Sequence, residues 1–341
     1  MDLKQLTELN APSGHEQALR RALLAELKNY AGVEASIDRM GNVVAVKQGS
    51  GENRKRVMLS AHMDEVGLIV ASATEDGFLR VAPVGGVDPR VIISKRVLVG
   101  DENIHGVIGA MAIHLQTAED RNRVLGYSDI YVDIGAKDKA EAERKAPKGT
   151  YIAFETPYVE FGDGCACAKA LDDRVGVYNL LRLLKEDYPC DVVAVFASEE
   201  EVGCRGAKGA AFAVEPDMGV VLEGTTCNDL GKVPEALQVC NAGAGVCVSF
   251  MDGASIANRA LFQEALAVAG EGKIPCQVKR SVTGGNEGGV IQRARQGIPT
   301  VVLSVPCRYI HSPSSVVRLC DVESQFLLAR ALLKNQKSDE R

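Results

Sequence analysis

The stretch VVAVFASEEEVGCRGA, residues Val192–Ala207, joins an apolar run to three consecutive glutamates and a glycine. The run Val192–Ala197 predicts a short buried strand, because it is apolar throughout and rich in β-branched residues. Three adjacent like charges repel one another, so a strand end gains no stability from them. Ligands of open α/β sheets bind outside the carboxyl ends of the strands, where these glutamates would lie. The stretch predicts an α/β sheet with a polar site at its edge; the alternative is a solvated run of charges.

Segments with helical periodicity alternate with β-branched runs at both ends of the chain. Apolar residues at positions 18, 19, 22, 23 and 27 predict an amphipathic helix over His15–Tyr30, with Ser13 as its N-cap. Strands that alternate with helices indicate a mixed, mostly parallel sheet between two layers of helices. The other predicted strands are Val43–Lys47, Val57–Ala61, Gly219–Leu222 and Thr300–Val305, and the other helices are Val175–Lys185, Ala257–Ala269 and Val322–Lys334.

The middle of the chain, residues 68–161, follows a different pattern. Short strand-like runs are separated by Gly, Asp and Pro turns, and helical periodicity is limited to Asp138–Lys145. This pattern is typical of a small β-barrel domain inserted into an α/β host. We therefore predict a host domain from residues 1–67 and 162–341, and an inserted β-rich domain from residues 68–161.

Composition excludes several classes of function. The 341 residues are 46% hydrophobic, which is enough for two domains, and the net charge is −6 without a basic stripe that would bind nucleic acid. No run of about 18 apolar residues predicts a membrane span, and MDLKQLTELN is no signal peptide. Ten cysteines are scattered through the chain, as expected for reduced, mostly buried thiols. We expect a cytoplasmic protein without nucleic-acid or membrane partners.

Candidate metal ligands follow several predicted strands. His62 and Asp64 end an apolar strand in MLSAHMDEVG, and alternate strand residues face the same side. A carboxylate there can accept the second ring N–H of a metal-binding imidazole. Glu223 ends the strand Gly219–Leu222, and Thr300–Val305 leads to His311. The alternative for each residue alone is a solvated or structural side chain. A His, Asp or Glu at four strand ends, however, favours a shared metal site over four separate structural roles.

A second candidate is the sequence KALDDRVG, residues 169–176, where Asp172 and Asp173 precede an apolar helical segment. Both aspartates could simply cap the helix, which is a frequent role for this residue type. Capping needs only one of them, however. A carboxylate at this place could also bridge two cations.

These motifs together resemble the M42 family of metallo-aminopeptidases, which includes glutamyl aminopeptidases and so-called endoglucanase M proteins. The resemblance extends over nearly the whole chain and implies a dinuclear metal peptidase domain with an inserted β-barrel that serves in oligomerisation. It also implies large homo-oligomers built from dimers, up to a dodecamer. The motifs, in order, are APSGHE, SAHMDEVG, DIGA, ALDDRVG, EEVGCRGA, LEGTT and PCRYIHSP.

The resemblance also implies a role for each matching residue. Metal ligands are expected at His62, Asp172, Glu201, Glu223 and His311. Asp172 would bridge two divalent ions, with His62 and Glu223 at one ion and Glu201 and His311 at the other. Nitrogen and oxygen ligands without thiolate suit Zn²⁺, Co²⁺ or Mn²⁺.

The pair Val202–Gly203 aligns the three glutamates with the family motif Gln-Glu-Glu-Val-Gly. Glu201 is then the metal ligand, Glu200 the general base and Glu199 the residue at the glutamine position, expected to be exposed or hydrogen-bonded nearby. Asp64 would orient His62. The implied activity is removal of N-terminal residues from short peptides by a metal-bridging water that Glu200 activates.

One loop departs from the family pattern. In TGGNEGGVIQ, Asn286 and Glu287 replace Thr-Asp, and Gly288 replaces Ala. The departure motivates an alternative function on the same site, a metal-dependent deacylase or deacetylase of small N-acyl compounds. A non-catalytic scaffold is a further alternative, but it predicts lost ligands and all five positions are filled.

Overall fold

The structure, a computed structural model, describes residues 1–336. Within this range there are 17 β-strands and ten α-helices. The strands are β1 (Val33–Ile37), β2 (Val43–Lys47), β3 (Arg56–His62), β4 (Gly67–Ala73), β5 (Leu79–Val84), β6 (Arg96–Val99), β7 (Ile104–Ala110), β8 (Ile130–Asp133), β9 (Tyr151–Phe154), β10 (Val159–Phe161), β11 (Cys165–Ala168), β12 (Asp191–Ala197), β13 (Met218–Thr226), β14 (Val246–Ser249), β15 (Cys276–Val278), β16 (Thr300–Arg308) and β17 (Ser315–Arg318). The helices are α1 (Leu3–Glu8), α2 (Gln17–Leu27), α3 (Pro89–Ile92), α4 (Ala118–Asn122), α5 (Lys139–Lys145), α6 (Leu171–Leu183), α7 (Arg205–Val214), α8 (Arg259–Glu271), α9 (Gly288–Ile291) and α10 (Leu319–Asn335).

Eleven strands form one mixed sheet, with the order β1-β2-β12-β3-β13-β16-β17-β11-β10 along its main path. The four central strands β12, β3, β13 and β16 are parallel. Antiparallel strands extend the sheet on either side, and β14 pairs with both β16 and β15. The predicted α/β class with a mixed sheet is confirmed, and the parallel pairing is concentrated at the centre.

Both faces of the sheet are buried. Along β12, Val192 and Phe196 face the core under α2, α6, α8 and α10, whereas Val193 and Val195 face a second core under α7 and α9. Burial on both faces explains why this strand is continuously apolar rather than alternating.

The middle of the chain forms a closed antiparallel barrel in the order β4-β5-β8-β7-β6-β9. Its interior is a separate cluster that includes Leu68, Val97 and Ile152. Closure leaves none of these strands with an unpaired edge. The prediction of an inserted small β-barrel is confirmed.

One local prediction is wrong. Helix α2 begins at Gln17 with Glu16 as its N-cap residue, and Ser13 does not cap it. Residues Pro12 and Ser13 instead pair with Glu65, which draws the Ser13 hydroxyl towards Asp64 and away from the helix.

The ten cysteines are free thiols, of which Cys320 is exposed and most others are buried. None of the helices in residues 1–336 combines the length and the apolarity that crossing a bilayer requires.

Candidate metal centre

Two imidazoles and three carboxylates from distant parts of the chain meet at the carboxyl edge of the central strands. His62 is the last residue of β3, and Glu223 lies in the adjacent strand β13. Asp172 lies at the start of α6. His62 Nε2 lies 3.3 Å from Glu223 Oε1 and 3.5 Å from Asp172 Oδ1.

The second imidazole approaches Asp172 from the opposite side. His311 follows β16 in a loop, and its Nε2 lies 3.4 Å from Asp172 Oδ2 and 3.4 Å from Glu201 Oε2. Each oxygen of Asp172 therefore faces one histidine. All five residues predicted as ligands lie together in one cluster, with Asp172 at its centre.

The two aspartates at the start of α6 have different surroundings. Asp173 Oδ1 accepts a hydrogen bond of 3.0 Å from the backbone N–H of Gly176, so it caps the helix. The peptide bond between Asp172 and Asp173 is cis, and Asp172 projects into the cluster instead. Ligand atoms of His62, Asp173 and Glu223 also lie within 4.8 Å of one another, so Asp173 is a further candidate ligand, whereas the sequence predicted it only as a possible helix cap.

Asp64 is fully buried and contacts both sides of the site. Its backbone carbonyl oxygen lies 3.1 Å from His62 Nδ1, and its Oδ1 lies 3.5 Å from the same nitrogen. Its two carboxylate oxygens accept the backbone N–H groups of Glu200 and Glu201 at 3.0 and 3.1 Å. Asp64 thus connects the strand that carries His62 to the turn that carries the glutamates.

The three glutamates have separate environments. Glu199 has a positive φ of 54° and pairs with Arg205 at 3.1 Å, which matches the expectation of a nearby hydrogen bond. Glu200 lines the cavity beside His62 and accepts a hydrogen bond of 3.0 Å from Cys204 Sγ. Glu201 points towards His311. Adjacent residues of the turn therefore serve different partners.

The electrostatics of the cluster reflect buried like charges. Burial raises the pKa of Glu201 to about 8 and raises that of Glu223 well above its usual range. Burial would lower the pKa of His311, but the hydrogen bond with Asp172 and the charge of Glu201 outweigh it and raise this pKa to about 9. Burial opposes ionisation of Asp172 as well, yet the two nearby histidines hold its pKa below the usual range.

This donor set fits divalent cations. Asp172 Oδ1 and Glu223 Oε2 are buried oxygens without a hydrogen-bond partner among the described residues. Three carboxylates face two imidazoles in the cluster, so once the ligand atoms lose their protons the cluster carries a net negative charge that cations would balance. Buried charges are normally paired or coordinate metals. The side chains could therefore hold metal ions, and mixed nitrogen and oxygen ligation is what such ions take in proteins.

A cavity of about 160 Å³ adjoins the cluster. His62, Glu200 and His311 line one side of it, and residues 283–286 of the glycine-rich loop line another. Lys279 also lines the cavity, is 5% exposed and donates a hydrogen bond of 2.9 Å to the Thr283 carbonyl. Sequence reasoning missed Lys279, which follows the short strand β15 without a recognisable motif.

The loop that departs from the family pattern has one residue in the cavity and one behind it. Asn286 lines the cavity and donates to Asp252 at 2.8 Å. Glu287 is fully buried and accepts a hydrogen bond of 2.5 Å from Ser60 on β3. Burial raises the pKa of Glu287 to about 8.

A mixed α/β sheet, an inserted barrel and a histidine–carboxylate cluster at the strand ends define a class of α/β proteins with a candidate metal centre. Comparison with known proteins narrows this class. The model of the M42 glutamyl aminopeptidase family matches residues 41–328. A lysyl aminopeptidase of Pyrococcus furiosus is 34% identical over 345 residues, which cover 98% of this chain and 96% of that protein.

Solved structures give the same result. The aminopeptidase APDkam598 of the archaeon Desulfurococcus kamchatkensis has a TM-score of 0.93 and 32% identity, and the match covers 99% of this chain and 94% of that one. The TET1 peptidase of Pyrococcus horikoshii, which can assemble into a tetrahedron or a large octahedral shell, has a TM-score of 0.86 and 30% identity, with 98% of each chain covered. This chain belongs to the M42 glutamyl aminopeptidase family and is a peptide-bond hydrolase, as its motifs predict.

Proposed function

We propose that this protein is an aminopeptidase that removes N-terminal residues from short peptides with the help of two divalent ions. The observation that carries the proposal is the position of Asp172 between two imidazoles, with one carboxylate oxygen facing each. His62 and Glu223 would complete one ion site, and Glu201 and His311 the other. Zn²⁺, Co²⁺ and Mn²⁺ suit these ligands.

The bound ions would supply Lewis acidity and make water a better nucleophile near neutral pH. The protein itself would supply the proton transfer. Glu200 lines the cavity, and its backbone N–H is held by Asp64, so its carboxylate would lie beside a substrate bound there. It would take a proton from the attacking water and deliver it to the leaving amine, a role typically worth about 10²–10⁴-fold in rate.

The domain assignment belongs to the same proposal. Residues 1–67 and 162–341 would form the catalytic domain, and residues 68–161 would mediate a homo-oligomer built from dimers. The segment that joins β7 to β8 of the barrel exposes Met111, Ile113, Leu115 and Val124, whose exposed fractions lie between 55% and 70%. Large apolar side chains clustered at a surface favour contact with another protein surface. A second copy of this chain is the partner that the TET1 assemblies suggest.

Substitution Glu200→Gln tests the catalytic proposal. The variant should bind the same number of metal ions as the wild type and lose peptide hydrolysis, because an amide cannot accept the proton. Metal analysis and turnover of short peptides measure the two effects. Wild-type turnover in this variant would refute the assignment of Glu200 as the base.

The deacylase alternative receives no support from the relatives above, which are named aminopeptidases. Aminoacyl amides with a free amine and the matching N-acetylated compounds separate the two activities in one assay. We expect cleavage of the free amines. Cleavage of the blocked compounds alone would reject the peptidase proposal.

A further inference from the structure

The turn that carries the glutamates is held by side chains from three other segments. The backbone N–H groups of residues 198, 199, 200 and 201 donate to Asn42 Oδ1, Glu16 Oε1, Asp64 Oδ1 and Asp64 Oδ2, respectively, at 2.9, 3.2, 3.0 and 3.1 Å. Each of these four amides is therefore satisfied by a side-chain oxygen. Buried amides must be paired, so these oxygens determine the path of the turn.

Two of the contacts lead to the N-terminal motif PSGHE, residues 12–16. Glu16 is 2% exposed, and its Oε1 accepts both the Glu199 N–H and, at 2.8 Å, the Gly14 N–H. Ser13 is 3% exposed, and its hydroxyl donates to Asp64 Oδ2 at 2.6 Å, the same oxygen that accepts the Glu201 N–H. Neither residue lines the cavity, and the side-chain hydrogen bonds of both go to Asp64, to Arg20 or to backbone N–H groups rather than to the side chain of a candidate metal ligand.

We infer that Ser13 and Glu16 are positioning residues for Glu200. Glu16 accepts the N–H of Glu199, the residue before Glu200, and so fixes the backbone there directly. Ser13 acts one step further away, because it donates to the Asp64 carboxylate that accepts the N–H groups of Glu200 and Glu201. Glu199 has a left-handed backbone conformation, so the turn has few other ways to present Glu200 to the cavity. The inference rests on the proposed role of Glu200 and extends it to a motif more than 180 residues away in sequence.

Burial supports the assignment. An ionised carboxylate inside a protein is costly unless hydrogen bonds compensate it. Among residues 1–336, Arg20 is the one cation paired with Glu16, at 3.5 Å, and burial raises the pKa of Glu16. The hydrogen bonds from the Gly14 and Glu199 N–H groups therefore compensate much of the cost of burying this carboxylate.

The substitutions Glu16→Ala and Ser13→Ala remove the two contacts. In the metal-loaded enzyme we expect kcat for a short peptide to fall about 10- to 100-fold, with KM within about twofold and metal content unchanged. In the metal-free protein, hydrogen–deuterium exchange of the peptide covering residues 196–207 should accelerate in both variants. Glu16→Gln should keep most of the wild-type kcat, because its amide oxygen can accept the same two N–H groups.

Asp321→Ala is the matched control. Asp321 is a fully buried carboxylate that accepts the backbone N–H groups of Gly243 and Gly245 at 2.6 and 2.8 Å, away from the glutamate turn. Its loss should lower the melting temperature without changing kcat of the folded enzyme or exchange in residues 196–207. An equal loss of kcat in this control would show a general effect of instability and overturn the inference.

The remaining outcomes are also decisive. If Glu200→Gln is inactive but Glu16→Ala and Ser13→Ala keep wild-type kcat and exchange rates, the inference fails while the proposed function stands. If Glu200→Gln is as active as the wild type, the proposed function itself fails. If Glu16→Ala does not fold, Ser13→Ala, which removes one hydroxyl, decides the matter with the same measurements.

Discussion

At the scale of single residues, protons and metal ions compete for the same atoms. His311 and Glu201 face each other across 3.4 Å, and both would have to be deprotonated at a metal-binding atom. The pKa of His311 is raised to about 9 and that of Glu201 to about 8. Without metal the cluster therefore retains protons at neutral pH that an unperturbed site would have lost.

We expect the affinity for Zn²⁺ or Co²⁺ to rise as the pH increases from 6 to about 9. Below these pKa values the bound protons must leave before the metal binds, so binding releases protons into solution. Calorimetric titrations of the metal-free protein in buffers with different ionisation enthalpies measure this release. An affinity independent of pH over this range would contradict the expected protonation.

Lys279 is the residue from which we predict whether acidic or basic N-terminal residues are preferred, the two types that the names glutamyl and lysyl aminopeptidase imply. Within residues 1–336, Lys279 is the one Lys or Arg that lines the cavity, and its charge is matched there by a carbonyl rather than a carboxylate. We expect peptides with an N-terminal Glu or Asp to be preferred over those with Lys or Arg, since a buried charge attracts its opposite strongly.

The substitution Lys279→Met should lower kcat/KM for an acidic N-terminal residue by about tenfold and leave that for Leu nearly unchanged. Arg280→Met, which alters the neighbouring and more exposed cation, is the control. Two results would show that Lys279 does not select the substrate. One is a preference of the wild-type enzyme for basic N-terminal residues, and the other is an unaltered substrate profile in the Lys279→Met variant.

At the scale of elements, a buried ion pair and its hydrogen bonds connect the end of α1 to β3 and α6. Lys169, just before α6, contacts both oxygens of Glu65 at 2.7 and 2.8 Å, and each side chain is at most 3% exposed. Lys169 also donates to the Leu9 carbonyl, and Arg174 donates to the Leu6 and Leu9 carbonyls. The end of α1 is thereby joined to β3 and α6 next to the metal site.

Lys169→Met should destabilise the protein by about 3 kcal/mol, because among residues 1–336 it leaves the buried carboxylate of Glu65 with the more distant Arg174 as its one cation. Urea unfolding of the metal-free protein gives the free energy of unfolding. The double variant Lys169→Met with Glu65→Leu should recover part of the loss, since no unpaired charge remains. A double variant less stable than the single variant would contradict this explanation.

At the scale of the whole molecule, the barrel reaches the catalytic site. The loop after β5 carries Gly85 and Gly86, and a side chain at Gly85 would approach Cβ of Glu201 to 3.1 Å. Gly85 has a φ of +79°, which side chains rarely adopt, so close approach and backbone conformation both require glycine there. A change in the position of this barrel loop would therefore alter the packing around the Glu201 side chain.

Charged residues on the exposed barrel surface should dissociate the proposed homo-oligomer. Ile113 and Leu115 are 70% and 67% exposed, and Ile113→Asp with Leu115→Asp places two like charges in the predicted contact. Sedimentation velocity should show a smaller species. Ile256→Asp, at an apolar residue of similar exposure outside the barrel, is the control and should leave the assembly intact.

Local patterns were enough to predict the α/β host, the inserted barrel and the residues at the strand ends. The run Val192–Ala197 is apolar at every position and is buried on both faces. Such a run predicts a central strand from local sequence alone, because only a strand covered on both sides buries all of its side chains. A histidine or carboxylate that follows such a run is carried to the sheet edge with it. The order of these motifs then led to the peptidase family.

The partners of individual side chains could not be read in this way. Ser13 was predicted to be a helix cap but donates a hydrogen bond to Asp64, 51 residues later in the chain. Glu16 accepts the backbone N–H of Glu199, 183 residues later. Of two adjacent aspartates, Asp173 caps the helix and Asp172 joins the histidines. A hydrogen bond requires both groups within about 3 Å at the correct angle, and only the folded chain brings groups so distant in sequence to that separation.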